Sequence, residues 1–406
     1  MKVLFVNQFF WPDVAATGQF LYDVVQHVGV EHEVTVICSA GSYDETESDG
    51  RHPPHCKIIR VPGFRYRRGK LARAVSYATF MIAALWYELR APRQDVVVTM
   101  TTPPLLAIGG SILKMLRGTR HYVWEMDMFP DVFVSLGALS ERGWITRLLG
   151  WIEDTCRRRS NGVIALGPCM RNRLIARGIP GELIGIVENW ADGWAISPKP
   201  ASDSGPLNIL YSGNLGLCHD TDTIAAAMRH FRNDSRFLFT FAGSGVGKDQ
   251  LERIATSEGI QNASFLPYSK RDGIGEHLAT ADIGLVTERP QCIGTVVPSK
   301  VYGIMAAARP LLFIGPAQAT PGLVIRRFQC GWEIEPGDHR SLIELLEELA
   351  GDRAGIRLRG ARAREAFERN YDMPHGVAKI AAALGLGQPL EAVSSIPVNE
   401  TLLGES

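Results

Sequence analysis

The 406-residue chain lacks most of the features that would assign it to a function class at once. It has no charge excess: 43 lysines and arginines balance 43 aspartates and glutamates, so no global basic field exists to hold nucleic acid. Its seven cysteines (Cys38, Cys56, Cys156, Cys169, Cys218, Cys292 and Cys330) are odd in number, and no two form a CxxC pair. A zinc site or a disulfide framework is therefore not expected, and a reducing cytosol is the natural compartment. No run reaches the ~18 apolar residues that span a bilayer. The longest candidate, 74–89, is interrupted by Ser76, Tyr77, Trp86, Tyr87 and Glu88. The opening Met1-Lys2-Val3-Leu4-Phe5-Val6 runs straight into a strand pattern, without the apolar stretch and cleavage site of a secretory signal. A GxGxxG fingerprint is missing after that strand, which argues against NAD or FAD. The ten histidines show no metal-ligand spacing.

What is present reads as an ordinary folded protein of two or three domains, with 46% hydrophobic and 21% charged residues. Short apolar runs at 3–6, 34–37, 96–99, 122–124 and 162–166 alternate with helical patterns at 20–28, 105–116 and 144–158. That alternation predicts a parallel sheet covered on both faces. The pattern breaks around Asn189-Trp190-Ala191-Asp192, and the following stretch carries three prolines, which reads as a linker. It then restarts, with strands at 209–211, 238–242, 263–265, 283–286 and 311–314 and helices at 221–230, 249–257, 341–350 and 361–369. The expected fold class is α/β with two doubly wound halves, whose ligands sit beyond the carboxyl ends of the strands.

Several segments carry candidate chemistry. Val297-Pro298-Ser299-Lys300 opens an apolar helix of small residues that Arg309-Pro310 stops. A hydroxyl and a lysine at a helix start suit a phosphate group. Tyr211-Ser212-Gly213-Asn214-Leu215-Gly216 follows a strand and exposes backbone N–H groups, as a pyrophosphate site would. Gly18, at the start of the first helix, permits close backbone approach to a ligand. Gly243-Ser244-Gly245-Val246-Gly247-Lys248 looks like a P-loop, but Ala242 and Asp249 occupy required positions, so it reads as a turn closing a strand. Glu125, Asp127 and Asp131 follow a strand among bulky apolar residues, where a carboxylate could take a proton from a hydroxyl or steady a developing cation. The plainer account has Asp131 capping a helix and Glu125 in solvent. Arg65, Arg67, Arg68, Lys70 and Arg73 precede the apolar helix 74–89, a pairing that suits an anionic membrane surface or, equally, a solvated loop before a core helix.

Together these segments resemble glycosyltransferase family 4, the retaining GT-B transferases, and in particular the bacterial branch of fucosamine and colanic-acid type polysaccharide transferases. The residues that carry the resemblance are Asn7-Gln8-Phe9-Phe10-Trp11-Pro12 with Thr17-Gly18, Met126-Asp127-Met128-Phe129-Pro130-Asp131, Ser135-Leu136-Gly137-Ala138-Leu139, Val187-Glu188-Asn189-Trp190-Ala191-Asp192, Tyr211-Ser212-Gly213-Asn214-Leu215-Gly216 and the segment 298–310.

The resemblance implies two Rossmann-like domains facing across a cleft: an acceptor domain at 1–192, a linker at 193–206, a nucleotide-sugar domain at 207–362, a C-terminal helix at 363–386 returning to the first domain, and a flexible tail at 387–406. It implies transfer with retention, no metal and no cofactor, and a cytoplasmic enzyme that can be peripheral on the membrane's inner face. The donor would be a nucleotide sugar and the acceptor a lipid-linked glycan. Gly18, Gly213, Asn214, Val297, Pro298, Ser299 and Lys300 would bind the donor. Asp127 would be catalytic, and Arg65, Arg67, Arg68 and Lys70 would contact acceptor or membrane. The chain departs from the family pattern where an Arg and a Lys are common, with Asn214 and His219 in their places. It departs again where two glutamates are common, with Thr295 and Gly303. Two rival readings stay open: a GT-B nucleotide-sugar epimerase, and a non-catalytic sugar-nucleotide-binding protein, which the missing glutamates favour.

Overall fold

A computed structural model describes residues 1–41, 50–63, 70–200, 204–269 and 273–387. Arg65, Arg67 and Arg68, the side chains of Lys70 and Arg73, and the tail from 388 lie outside the described residues.

The chain divides into two compact units. In the first half, β1 (Lys2–Val6), α1 (Ala16–Val28), β2 (Glu33–Ser39), β3 (Lys57–Val61), α2 (Lys70–Arg90), β4 (Val96–Met100), α3 (Ala107–Arg117), β5 (Arg120–Trp124), α4 (Asp131–Ser135), α5 (Trp144–Arg159), β6 (Gly162–Ala165), α6 (Pro168–Ala176) and β7 (Ile184–Ile186) follow one another. The strands form one parallel sheet in the order β3-β2-β1-β4-β5-β6-β7. β1 and β4 are central and covered on both faces, which is why they read as unbroken apolar runs.

The second half contains β8 (Leu207–Asn214), α7 (Asp222–His230), β9 (Phe237–Ser244), α8 (Val246–Glu258), β10 (Ala263–Leu266), α9 (Ile274–Ala279), β11 (Ile283–Thr287), α10 (Lys300–Ala306), β12 (Leu311–Ile314), α11 (Thr320–Phe328), β13 (Gly331–Ile334), α12 (His339–Gly351), α13 (Arg353–Asn370) and α14 (Met373–Ala383). Its sheet is also parallel, in the order β10-β9-β8-β11-β12-β13. The strand order reverses between β8 and β11, and that switch point is where a doubly wound sheet leaves a crevice for a ligand. Phenylalanines 237, 239 and 241 of β9 fill one side of the core against Ile224 and Met228 of α7.

Two boundaries differ from the sequence reading. The stretch Met126–Thr155, counted there with the first domain, clusters with the second unit. The Met128 N–H donates to the Thr295 carbonyl at 2.8 Å, and the Ser135 hydroxyl donates to the Gln291 carbonyl at 2.7 Å. The single late helix expected at 363–386 is two helices. α13 starts at the Asp352 cap, whose carboxylate accepts from Gly355 N–H at 2.8 Å, and packs on α10 in the second unit. α14, from Pro374 onward, belongs to the first unit, where Lys379 lies 3.8 Å from Glu188 and His32 Nε2 donates to the Leu386 carbonyl at 2.8 Å.

Candidate active site

The site grows from the two strand ends that flank the switch point of the second unit. β8 delivers Tyr211, Ser212, Gly213 and Asn214, and β11 leads into Glu288. α10 begins at Lys300, behind Pro298 and Ser299. Lys300 folds back over the end of β8. Its ammonium donates to the Tyr211 hydroxyl, lies 4.0 Å from the centroid of that ring, and stands 3.3 Å from His219 Nε2. The Tyr211 hydroxyl donates in turn to the Asn214 carbonyl at 2.8 Å. His219 Nδ1 lies 3.2 Å from the Gly216 carbonyl, which can only accept. Nδ1 therefore carries the proton, and Nε2 accepts from Lys300.

Gly213 sits at φ +132°, a conformation only glycine adopts without strain, and a Cβ there would stand 3.5 Å from Lys300 Cε. The sequence-predicted residues Gly213, Asn214, Val297, Pro298, Ser299 and Lys300 all lie in this unit, with Lys300 against Gly213. Burial lowers the Lys300 ammonium to about 7, and no carboxylate among the described residues forms an ion pair with it. Burial, with help from Lys300, lowers His219 to about 3, so it stays neutral. A lysine held partly out of water with only neutral partners is suited to an arriving anion.

Beside this corner lies a second group of side chains. The Cys218 thiol hydrogen-bonds with Cys292, and that bond, burial and the nearby carboxylates of Asp127 and Glu288 push it upward. Arg289 ties the end of β11 to the same loop: its backbone N–H donates to the Cys218 carbonyl at 2.8 Å, and its Nε to the His219 carbonyl at 2.9 Å. Asp127 is partly buried, next to Met128, whose N–H anchors the segment to Thr295. Glu288 is fully buried, and burial, with Cys292 adding, raises it to about 8.

The sites of the family's missing glutamates are occupied by other uses. The Thr295 hydroxyl is spent on the Cys292 carbonyl at 2.8 Å. A Cβ on Gly303 would point at Leu278 and Ile196, 3.5 and 3.9 Å away.

The other candidate positions find these uses. A Cβ on Gly18 would meet the Phe9 carbonyl oxygen at 3.1 Å and Phe10 Cα at 3.3 Å, so the packing of α1 on its own loop already calls for glycine there. Glu125 is not in solvent. It takes two hydrogen bonds from Arg157, at 2.6 and 3.1 Å, with both side chains fully buried. Asp131 lies inside the first turn of α4, after Pro130, rather than capping it. Lys248 donates to the carbonyls of Gly243 at 3.0 Å and Leu266 at 2.5 Å, so the P-loop look-alike is the strand-closing turn. Arg289, Glu288 and the cysteine pair escaped the sequence reading. The one signal for Glu288 was its place two residues after the apolar run 283–286, at a strand's carboxyl end. Among the described residues, no group of three metal-ligating side chains is placed to hold an ion, and no helix is long and apolar enough to cross a membrane.

With this geometry in hand, comparison with known proteins is direct. The model of the glycosyl transferase 4-like domain matches residues 22–190, and that of glycosyl transferases group 1 matches 192–369. Two doubly wound sheets with these matches define a two-domain sugar transferase. WbjE of Pseudomonas aeruginosa, named as a glycosyltransferase, is 26% identical over 76% of this chain and 78% of its own. WcaI of Escherichia coli (strain K12), named as a colanic acid biosynthesis glycosyl transferase, is 24% identical over 92% and 97%. The structure of Anabaena HepE, solved with UDP and glucose, superposes with a TM-score of 0.72 at 14% identity over 95% of this chain and 99% of that one. The chain belongs to the GT-B glycosyltransferases of the family 4 type.

Proposed function

We propose that the enzyme moves a sugar from a nucleoside diphosphate, UDP first among candidates, to a hydroxyl of a lipid-linked glycan, with retained configuration and without a metal. One observation carries this reading: Lys300 is held among neutral partners at the switch point of the second sheet. As the glycosidic bond breaks, negative charge grows on the leaving diphosphate. A cation already fixed there stabilises the transition state more than the ground state. Tyr211 and His219 aim the ammonium, and Gly213 leaves its side of the crevice open to a phosphate. Asp127 then acts on the acceptor hydroxyl or on the cation that develops at the sugar. The UDP found in HepE supports the choice of base, and the WcaI relationship supports a polysaccharide pathway.

Membrane contact is supported by two helices with exposed apolar faces. α2 exposes Ile82 and Trp86, with the Arg90 guanidinium 3.3 Å over the Trp86 ring. α5 exposes Trp144, Leu148 and Trp151 on one face.

The test is a thermal-shift panel of nucleotides and nucleotide sugars, because a ligand that binds only the folded state raises Tm. UDP is expected to shift the wild type and to lose most of its effect on Lys300→Ala. Charge removal at a diphosphate costs about 1.5–3 kcal/mol. An unchanged UDP shift in Lys300→Ala would discard the phosphate role.

A further inference from the structure

Glu288 is a buried acid beside this site with no role in the reading above. It is 2% exposed, and its Oε1 has no hydrogen-bond partner. Its surroundings offer little: Cys292 and Cys218 are thiols, which donate weakly and are engaged with each other. A buried carboxyl oxygen left unpaired is costly and rare, and its persistence calls for a reason.

Its place in the fold gives one. β8 and β11 are neighbours across the switch point, with Ile283 opposite Ile209 and Gly284 opposite Leu210. Glu288 follows β11 directly: its N–H donates to the Ile314 carbonyl at 2.9 Å, and the next N–H, of Arg289, donates at 2.8 Å to the Cys218 carbonyl, one residue before the His219 that meets Lys300. Asp127 belongs to the same group, because both carboxylates act on Cys218. The carboxyl group thus lies beside the Cys218–His219 loop, which meets both Lys300 and the residue assigned to the acceptor, and the transferred sugar has to sit near those two. The positions that hold glutamates in relatives cannot supply an acceptor here. Thr295 is bonded to its own turn, and Gly303 faces Leu278 and Ile196.

We propose that Glu288 binds a hydroxyl group of the transferred sugar, and so contributes to donor-sugar selection rather than to nucleotide binding. This rests on the donor site proposed above. A sugar hydroxyl would complete the unpaired oxygen, and a donor lacking that hydroxyl would leave it unpaired. That is the arrangement by which a buried polar site rejects an analogue. Unlike a carboxylate kept for folding, Glu288 would then be dispensable to the ligand-free protein.

Thermal shifts with UDP, UDP-glucose and UDP-N-acetylglucosamine on wild type, Glu288→Ala and Glu288→Gln test this. UDP should shift all three proteins equally. A UDP-sugar should shift wild type further than UDP does, and Glu288→Ala should lose that increment, with KM for the sugar nucleotide rising about tenfold, the factor for roughly 1.4 kcal/mol. Glu288→Gln should keep part of the increment, and its ligand-free Tm should equal or exceed the wild type. The proposal is overturned if the increment is the same in wild type and Glu288→Ala, or if wild type shows none. It is also overturned if both variants lose ligand-free stability together with their UDP shift, which marks a folding role. If UDP shifts no protein at all, the donor site itself is misassigned, and this proposal falls with it.

Discussion

Lys300 and His219 face each other across 3.3 Å, and the histidine is the acceptor in that contact. The pair sets a proton linkage. Burial holds the free ammonium at about 7, while His219, at about 3, contributes nothing near neutrality. A diphosphate beside Lys300 raises the ammonium's pKa again. Nucleotide affinity should therefore be level below pH 7 and fall by up to tenfold per unit above it, with proton uptake approaching one per site near pH 8–9. Calorimetry in two buffers of different ionisation enthalpy measures the uptake, and Lys300→Met subtracts the ligand's own ionisation. The same shift acts on the ligand-free fold. The unfolded lysine titrates near 10.4, so stability is complete above that pH and declines as pH falls through about 7.

Glu125 and Arg157 form a buried ion pair within the first unit, and they make a structural prediction independent of ligand. Removing one partner strands a charge away from water. Glu125→Leu or Arg157→Met should each cost about 3–5 kcal/mol, whereas the two together should cost much less than the sum. Urea unfolding of the two singles and the double closes the cycle. An additive double variant would mean that the pair is not coupled.

What the sequence made legible follows from these environments. Central strands such as β1, β4 and β11 are buried on both faces, and the runs 3–6, 96–99 and 283–286 announced them. The strands that went unread, β3, β7 and β13, all lie at sheet edges. β3 sets two isoleucines between Lys57 and Arg60, β7 is three residues long, and β13 includes a partly exposed Trp332 and Glu333, so none has an unbroken apolar signature. Lys300 was legible because a hydroxyl and a lysine at a helix start suit a phosphate. Glu288 was not, because a glutamate after a strand looks the same whether it meets water or, as here, is buried beside Cys218 and Cys292. Glu125 misled for the same reason: its partner Arg157 is 32 residues away.

Glu88 gives a second pH prediction, in the first unit. It is 1% exposed, and its Oε2 is unpartnered. Gly109 of α3 presses so close that a Cβ would stand 2.0 Å from that oxygen. Burial raises the carboxyl to about 8, against roughly 4.3 in the unfolded chain. The fold is thus favoured fully below about 4.3 and loses stability as pH rises through 8. Glu88→Gln should remove this dependence, leaving the variant more stable than wild type by on the order of a few kcal/mol at pH 9, and equal or weaker at pH 4. Chemical denaturation at the two pH values checks the sign, and a parallel pair of curves would refute it.

The exposed tryptophans of α5 carry the last prediction. Trp144 and Trp151 are 74% and 64% exposed, with Leu148 between them on the same face. On that helix the acids Glu153 and Asp154 are buried, while Arg147, Arg158 and Arg159 are exposed. An apolar face rimmed by arginine with no exposed acid fits an anionic bilayer surface, where indole rings settle at the headgroup level. A tryptophan buries roughly 150–250 Å². Half of that, at about 25 cal/mol per Å², gives roughly 2 kcal/mol or more for each ring. Trp144→Ser with Trp151→Ser should therefore cut binding to phosphatidylglycerol vesicles at least tenfold, while leaving UDP shifts unchanged. Raised salt should weaken the wild-type interaction, because the arginines act through a screened field. Equal flotation of wild type and double variant would assign the face to something other than lipid, and a wild type that dimerises through it would identify that occupant as a second copy of the chain.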